Sequence, residues 1–189
     1  DPAMTRRGVF AWLLDSTAVA AIPAILFLDA GAAEYGEGWF ANLVGPVAIL
    51  ASTGVGLLLA LRRHTNPIGW LLLASGNVLA LAGLARAYAG YVLEHPGSLP
   101  GGRAAAVWDT SGWPLLFAGV IAIAFVFPEG RLPSPRWRPW AIGGAASFLI
   151  MLLGGLLSDD PLDAPFEELA PFGVLPGAVH GTLQAVGLL

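Results

Sequence analysis

About six apolar runs, each near the length that crosses a lipid bilayer, follow one another along the chain, separated by short segments rich in glycine, proline and charge. They cover residues 9–30, 39–61, 68–91, 112–127, 140–157 and 172–189. A hydrocarbon layer about 30 Å thick needs about 20 residues of helix. The pattern therefore predicts an all-α polytopic membrane bundle, not amphipathic helices around a water-soluble core.

The borders carry their own signals. Arg6 and Arg7 precede the first run, and a glycine-rich segment, 31–38, follows it. The second run stops at Arg62-Arg63-His64-Thr65-Asn66-Pro67, where proline and charge close the helix. The third ends in the turn-rich stretch 94–102, and residues 103–111 read as a short interfacial helix. Prolines in 128–139 forbid continuous helix after the fourth run. An acidic loop, 158–171, follows the fifth. The sixth contains Pro176, His180 and Gln184 and stops where it would just reach the opposite surface, as a sequence cut from something longer would. Asp1-Pro2-Ala3 reads as a cloning remnant, leaving 4–189 as one transmembrane domain.

Composition agrees with this picture: 56% of residues are hydrophobic and 12% charged, about half the charge of an ordinary soluble domain. The net charge of −4 hides a separation of signs. All basic residues are arginines, and Arg6, Arg7, Arg62, Arg63, Arg131, Arg136 and Arg138 fall at one end of the expected bundle. Only Arg86 and Arg103 lie toward the other end, with most of the acids. Basic residues in short loops stay on the cytoplasmic side. Both termini are therefore expected inside, in a multi-pass protein of a bacterial plasma membrane. Trp12, Trp39, Trp70, Trp113, Trp137 and Trp140 lie near span ends, where an indole suits the headgroup region.

Asp15, Asp29, Asn77, Arg86, His180 and Gln184 are the candidate intramembrane polar residues. A charge near mid-bilayer costs at least about 2.5 kcal/mol, so each asks for a partner. At about 1.5 Å per residue, Asp29 matches Arg86 in depth and Asp15 matches Asn77. An Asp29–Arg86 pair is therefore expected near the outer rim, with Asp15 bonded to Asn77 or to backbone. Such groups either hold helices together or line a cavity that senses or conducts a ligand. Gly54-Val-Gly56, Gly143-Gly144 and Gly154-Gly155 could let helices approach closely. With no cysteine and three scattered histidines, no metal site is expected. No cofactor, nucleotide or nucleic-acid signal is present, and no catalytic cluster.

The loops at the arginine end are more distinctive than the spans. Asn66-Pro67-Ile68-Gly69-Trp70 combines a helix cap with an interfacial tryptophan. Phe127-Pro128-Glu129-Gly130-Arg131-Leu132-Pro133-Ser134-Pro135-Arg136-Trp137-Arg138-Pro139 mixes turn residues with arginine and tryptophan that suit an anionic inner leaflet. In residues 66–72, 97–101 with Trp108 and Trp113, and 127–139, the sequence resembles the amino-terminal membrane region of actinobacterial two-component sensor histidine kinases. Glu129 stands where that family usually has Asp. Pro171-Phe172-Gly173-Val174 resembles the start of the family's last span, with Ala170 in place of Asn.

The resemblance implies a membrane-embedded signal-input domain, dimeric and joined to a cytoplasmic kinase core that acts on a response regulator. That core is not within these residues, and none of His64, His95 and His180 is a phosphoacceptor candidate. The competing expectation is a small transporter or channel with a polar path through Asp15, Asn77, Arg86, His180 and Gln184. A lipid-acting enzyme is a third class, which the lack of an acid, base and nucleophile cluster disfavours.

Overall fold

Apolar runs without internal turn chemistry become helices whose boundaries follow the local caps. The clearest start is at Asn66, whose side chain accepts a 2.9 Å hydrogen bond from the Ile68 amide, with Pro67 supplying the pre-set first turn. The computed structural model describes residues 6–188 except 33, 37 and 64; of 39, 40, 178, 180, 184 and 186–188 only the backbone is described. Residues 1–3 and His64 thus lie outside the described residues.

The elements run in the order α1 (Arg6–Ala30), α2 (Trp39–Arg62), α3 (Pro67–Glu94), α4 (Gly102–Ser111), α5 (Trp113–Val126), a 3₁₀ turn (Pro135–Trp137), α6 (Arg138–Leu157) and α7 (Gly177–Leu188). Among the described residues four helices are long and apolar enough to cross a membrane: Arg6–Ala30, Ala41–Arg62, Pro67–Glu94 and Pro135–Leu157. A fifth crossing results if α4 and α5, bent by 44° at their junction, are taken together. Phe27, Val120, Ile142 and Trp140 stand more than 60% exposed on the outer faces of these helices. Such surfaces would be a liability in water and are what lipid solvates. The chain is built as a membrane protein.

Two segments are placed by contacts distant in sequence. Residues 103–111 fall in α4, the short helix expected there, which packs onto α3. Its Ala106 and Val107 are buried with Ala89 of α3 and with Leu162 and Phe166 of the acidic loop. The loop is therefore not a solvated strap; Phe166, 1% exposed, anchors it. At the last run, residues 172–176 are not helical. The amides of Val174 and Leu175 donate to the Leu157 carbonyl, and that of Asp159 donates to Leu175. Helix resumes only after Pro176, so α7 has 12 residues, about 18 Å at the α-helical rise, and alone is shorter than a full crossing. It lies along α6.

The core is a seam between α2 and α3, which run antiparallel. Ala60 meets Gly69, Gly56 meets Leu73 and Thr53 meets Gly76, and each of these three contacts has a small residue on at least one side. A methyl group on Gly69 would sit 2.6 Å from the Ala60 backbone nitrogen, and one on Gly56 would sit 2.7 Å from that of Leu73. The Ser52 hydroxyl donates across the seam to the Leu72 carbonyl at 2.9 Å. Of the glycine pairs noted in the sequence, Gly56 serves this approach and Gly155 packs on Ser111, while Gly54 and Gly143 face open space. α1 lies in the groove beside the seam, placing Ala11 against Leu57, Ala60 and Leu73, and Ala18 and Ile25 against Ile49, Ala80 and Ala87.

The seam generates a test. Gly56→Ala and Gly69→Ala should each destabilise the protein by about 1–3 kcal/mol through overpacking against backbone, read as a lower melting temperature in detergent. Gly54→Ala, with nothing within 4 Å, should leave it unchanged or raise it.

Candidate functional site

Three places collect the polar residues that the apolar spans otherwise exclude. The first lies midway along α1 and α3. The Asn77 side-chain amide donates to the Leu14 carbonyl at 3.0 Å and to its own helix at Leu73, and the Thr17 hydroxyl lies 3.0 Å from Asn77 Oδ1. Of the two expectations for Asp15, a bond to Asn77 or one to backbone, the first is corrected: Asn77 reaches α1 through Leu14 and Thr17. Asp15 is half-buried one residue along. The residues on either side of it take the bond because α1 is rotated so that positions 11, 14 and 18 face the bundle.

The second place is a junction of elements at the acidic end, centred on Arg86. Its guanidinium Nη1 forms a 3.0 Å ion pair with Asp109 Oδ2 of α4 and lies 5.9 Å from the Phe166 ring centroid. Arg86 also borders a cavity of about 70 Å³ shared with Asp29 of α1 and Asn42 of α2. Within that group Asp29, 7% exposed, accepts a hydrogen bond from the Asn42 amide. Asp29 and Arg86 therefore border one cavity, and Asp109 is an ion partner of Arg86 that depth-matching along straight spans does not reach. It comes from α4, whose packing on α3 is a contact distant in sequence. A neighbouring arginine repeats the pattern: Arg103 donates to the Pro171 carbonyl and its guanidinium lies 4.8 Å from the Phe172 ring centroid. Two cation–π contacts thus tie the acidic loop and the segment after it to α3 and α4.

Beside this junction is a cavity of about 190 Å³ between α4, α6 and the acidic loop, bordered by Thr110, Ser111, Ser158 and Asp160. The Ser158 hydroxyl donates to Asp160 at 2.8 Å. His180 and Gln184 fall on α7, and their side chains lie outside the described residues.

The third place is the arginine end, where the two sequence motifs meet. Gly130, at φ +77°, turns the 127–134 segment against the helix cap; a Cβ there would approach Asn66 Oδ1 to 2.5 Å. Only glycine adopts that φ without strain and also leaves room for the cap. Trp70 stacks with Phe10 of α1 at 6.0 Å, and Trp137 meets Phe125 edge-on at 5.8 Å. Arg131 pairs with Glu129 at 3.0 Å, both largely exposed. Arg136 and Arg138 are exposed, and Pro133 forms part of the loop's surface.

Among the described residues no group of His, Cys, Asp and Glu could hold a metal ion. The chemistry available is that of polar contacts between helices, ion pairing and anion contact.

The Arg86 junction should behave as a coupled unit. Arg86→Gln or Asp109→Asn alone should cost on the order of 2 kcal/mol, below the range for a fully buried pair. The double variant should recover part of that loss in a double-mutant cycle of melting temperatures. Additive losses would show that the pair carries no coupling. Compared with family models, with curated proteins and with solved structures, the chain matches none.

Proposed function

We infer that this chain is the membrane-embedded signal-input domain of a sensor histidine kinase, with the arginine end cytoplasmic and a kinase core outside these residues. The observation that carries the reading is the contact between its two most distinctive segments. The Asn66-Pro67 cap and the Gly130 turn, far apart in sequence, interlock at the end of the bundle to which seven arginines are assigned. A stimulus that moved α3 relative to α5 would be transmitted through that contact. Support also comes from the acidic end, where Arg86 joins α3 to α4 and to the acidic loop that leads into α7. In this proposal the bundle has six crossings and both termini inside, with α7 forming the sixth when continuous with the output helix. Signalling requires two arrangements of these helices with different affinity for the stimulus.

The transporter alternative needs a polar path across the bilayer. The polar groups instead support helix contacts: Asn77 bonds α1 backbone, and the Arg86 cluster sits toward one end.

The two readings separate in reconstituted protein. Joined to a histidine-kinase core, the Gly130→Ala variant should shift basal autophosphorylation several-fold while inserting normally into membranes. Liposomes containing the chain alone should show no proton or ion flux above that of empty liposomes. Flux that Asn77→Leu or Arg86→Gln abolishes, with autophosphorylation indifferent to Gly130, would establish transport instead.

A further inference from the structure

The geometry points to a binding site for one anionic phospholipid at the arginine end, with its headgroup on the 129–138 loop and its two acyl chains on either side of the Ile121–Phe125 ridge of α5. The inference stands apart from the signalling proposal and needs only that the helices cross a bilayer with this loop at its surface.

Three connected cavities make the case. A surface hollow of about 450 Å³ is bordered by Arg131, Ser134 and Arg138, together with Glu129, Leu132 and Pro133. Two apolar grooves lead from it. One, of about 420 Å³, lies between α5 and α6 over Leu71 of α3, walled by Ala118, Ala122, Ala145 and Phe148 and closed at the loop by Leu132. The other, of about 240 Å³, lies on the adjacent face of α5 between Ala124, Pro133 and Trp137. Ile121 and Phe125 border both grooves and so form the ridge between them. Leu132 links the hollow to the first groove and Pro133 links it to the second. One polar hollow feeding two apolar channels on either side of a ridge is the footprint of a diacyl lipid.

Charge selects the headgroup. Arg131, Arg136 and Arg138 outnumber the single acid Glu129 on this loop, leaving an excess of positive charge where a phosphate would rest. Trp137 and Trp140, 46% and 72% exposed, flank the site at the depth indoles prefer. The first groove exists because small residues on α5 and α6 face each other without filling the space: nothing lies within 4 Å of a Cβ built on Gly144. A seated acyl chain completes a wall that α6 otherwise lacks.

Native mass spectrometry of the purified chain in mixed phosphatidylglycerol and phosphatidylcholine micelles tests this. The chain should retain one phosphatidylglycerol in preference to phosphatidylcholine, and glycerol phosphate, the headgroup without chains, should not displace it. Arg131→Gln with Arg138→Gln should weaken retention roughly 30-fold, from about 1 kcal/mol per arginine near an anionic lipid surface. Arg62→Gln with Arg63→Gln, which removes equal charge at the same end outside the hollow, should change it little. Ala145→Trp, or Gly144→Leu should the first fail to keep wild-type helicity by circular dichroism, should abolish retention with every arginine intact. Equal weakening by both arginine pairs would reduce the effect to diffuse surface charge and overturn the site. Undiminished retention in the groove variants would overturn it too. A lipid-free dimer that the groove variants convert to monomer would assign the groove to a second copy of the chain.

Discussion

Hydrocarbon offers no hydrophobic force between helices, so what holds this bundle together is how closely α3 is approached by its neighbours. Along the seam with α2, small residues stand at Gly56, Gly69 and Gly76, and the backbones come near enough that a single methyl group on Gly56 or Gly69 would collide. α1 settles beside that seam, and α4 and α5 pack on the remaining faces of α3. α6 packs on α5, α7 and α4, and Gly155 near its end meets Ser111 of α4. The consequence is an uneven bundle, tight around α3 and open between α5 and α6, and the open side is where the apolar grooves lie.

The polar residues follow the same logic. In lipid a hydrogen-bonding group without a partner is costly, and here such groups mark joints. Asn77 fixes α1 to α3, and Arg86 gathers α4 and the acidic loop onto the C-terminal half of α3. The arginine end is organised differently, by turn geometry: the Asn66 cap, the left-handed Gly130 and the prolines that follow hold a charged loop across the ends of α3 and α5. A rigid, charged loop at one end and an arginine-centred junction at the other provide two places at which the helices can be pushed relative to one another.

Much of this was legible in the residues. Helices α1, α2, α3 and α6 lie close to the apolar runs because arginine, proline or glycine clusters punctuate both ends, and the Asn66-Pro67 cap reads directly as a helix start. What was not legible depended on contacts distant in sequence. Residues 103–111 read as a short helix, but only the structure shows Ala106 and Val107 buried with Ala89 of α3 and Phe166. That packing is what brings Asp109 to Arg86. Residues 172–176 are apolar enough to continue a span, but backbone pairing with 157–159 and Pro176 delay the helix. Gly56 was visible as part of a glycine pair, whereas Gly69 and Gly76 gained meaning only once the register of α2 against α3 was known.

The central claim is that these helices cross lipid and present the 127–138 loop and the acidic loop on opposite faces, the arginine face inward. The chain has no cysteine, so single-cysteine labelling in intact bacterial cells addresses it without background. With a membrane-impermeant maleimide, Ser134→Cys should label only after the cells are opened, and Asp163→Cys should label in intact cells. Labelling of both positions from outside, or of neither until the membrane is dissolved, would contradict the account.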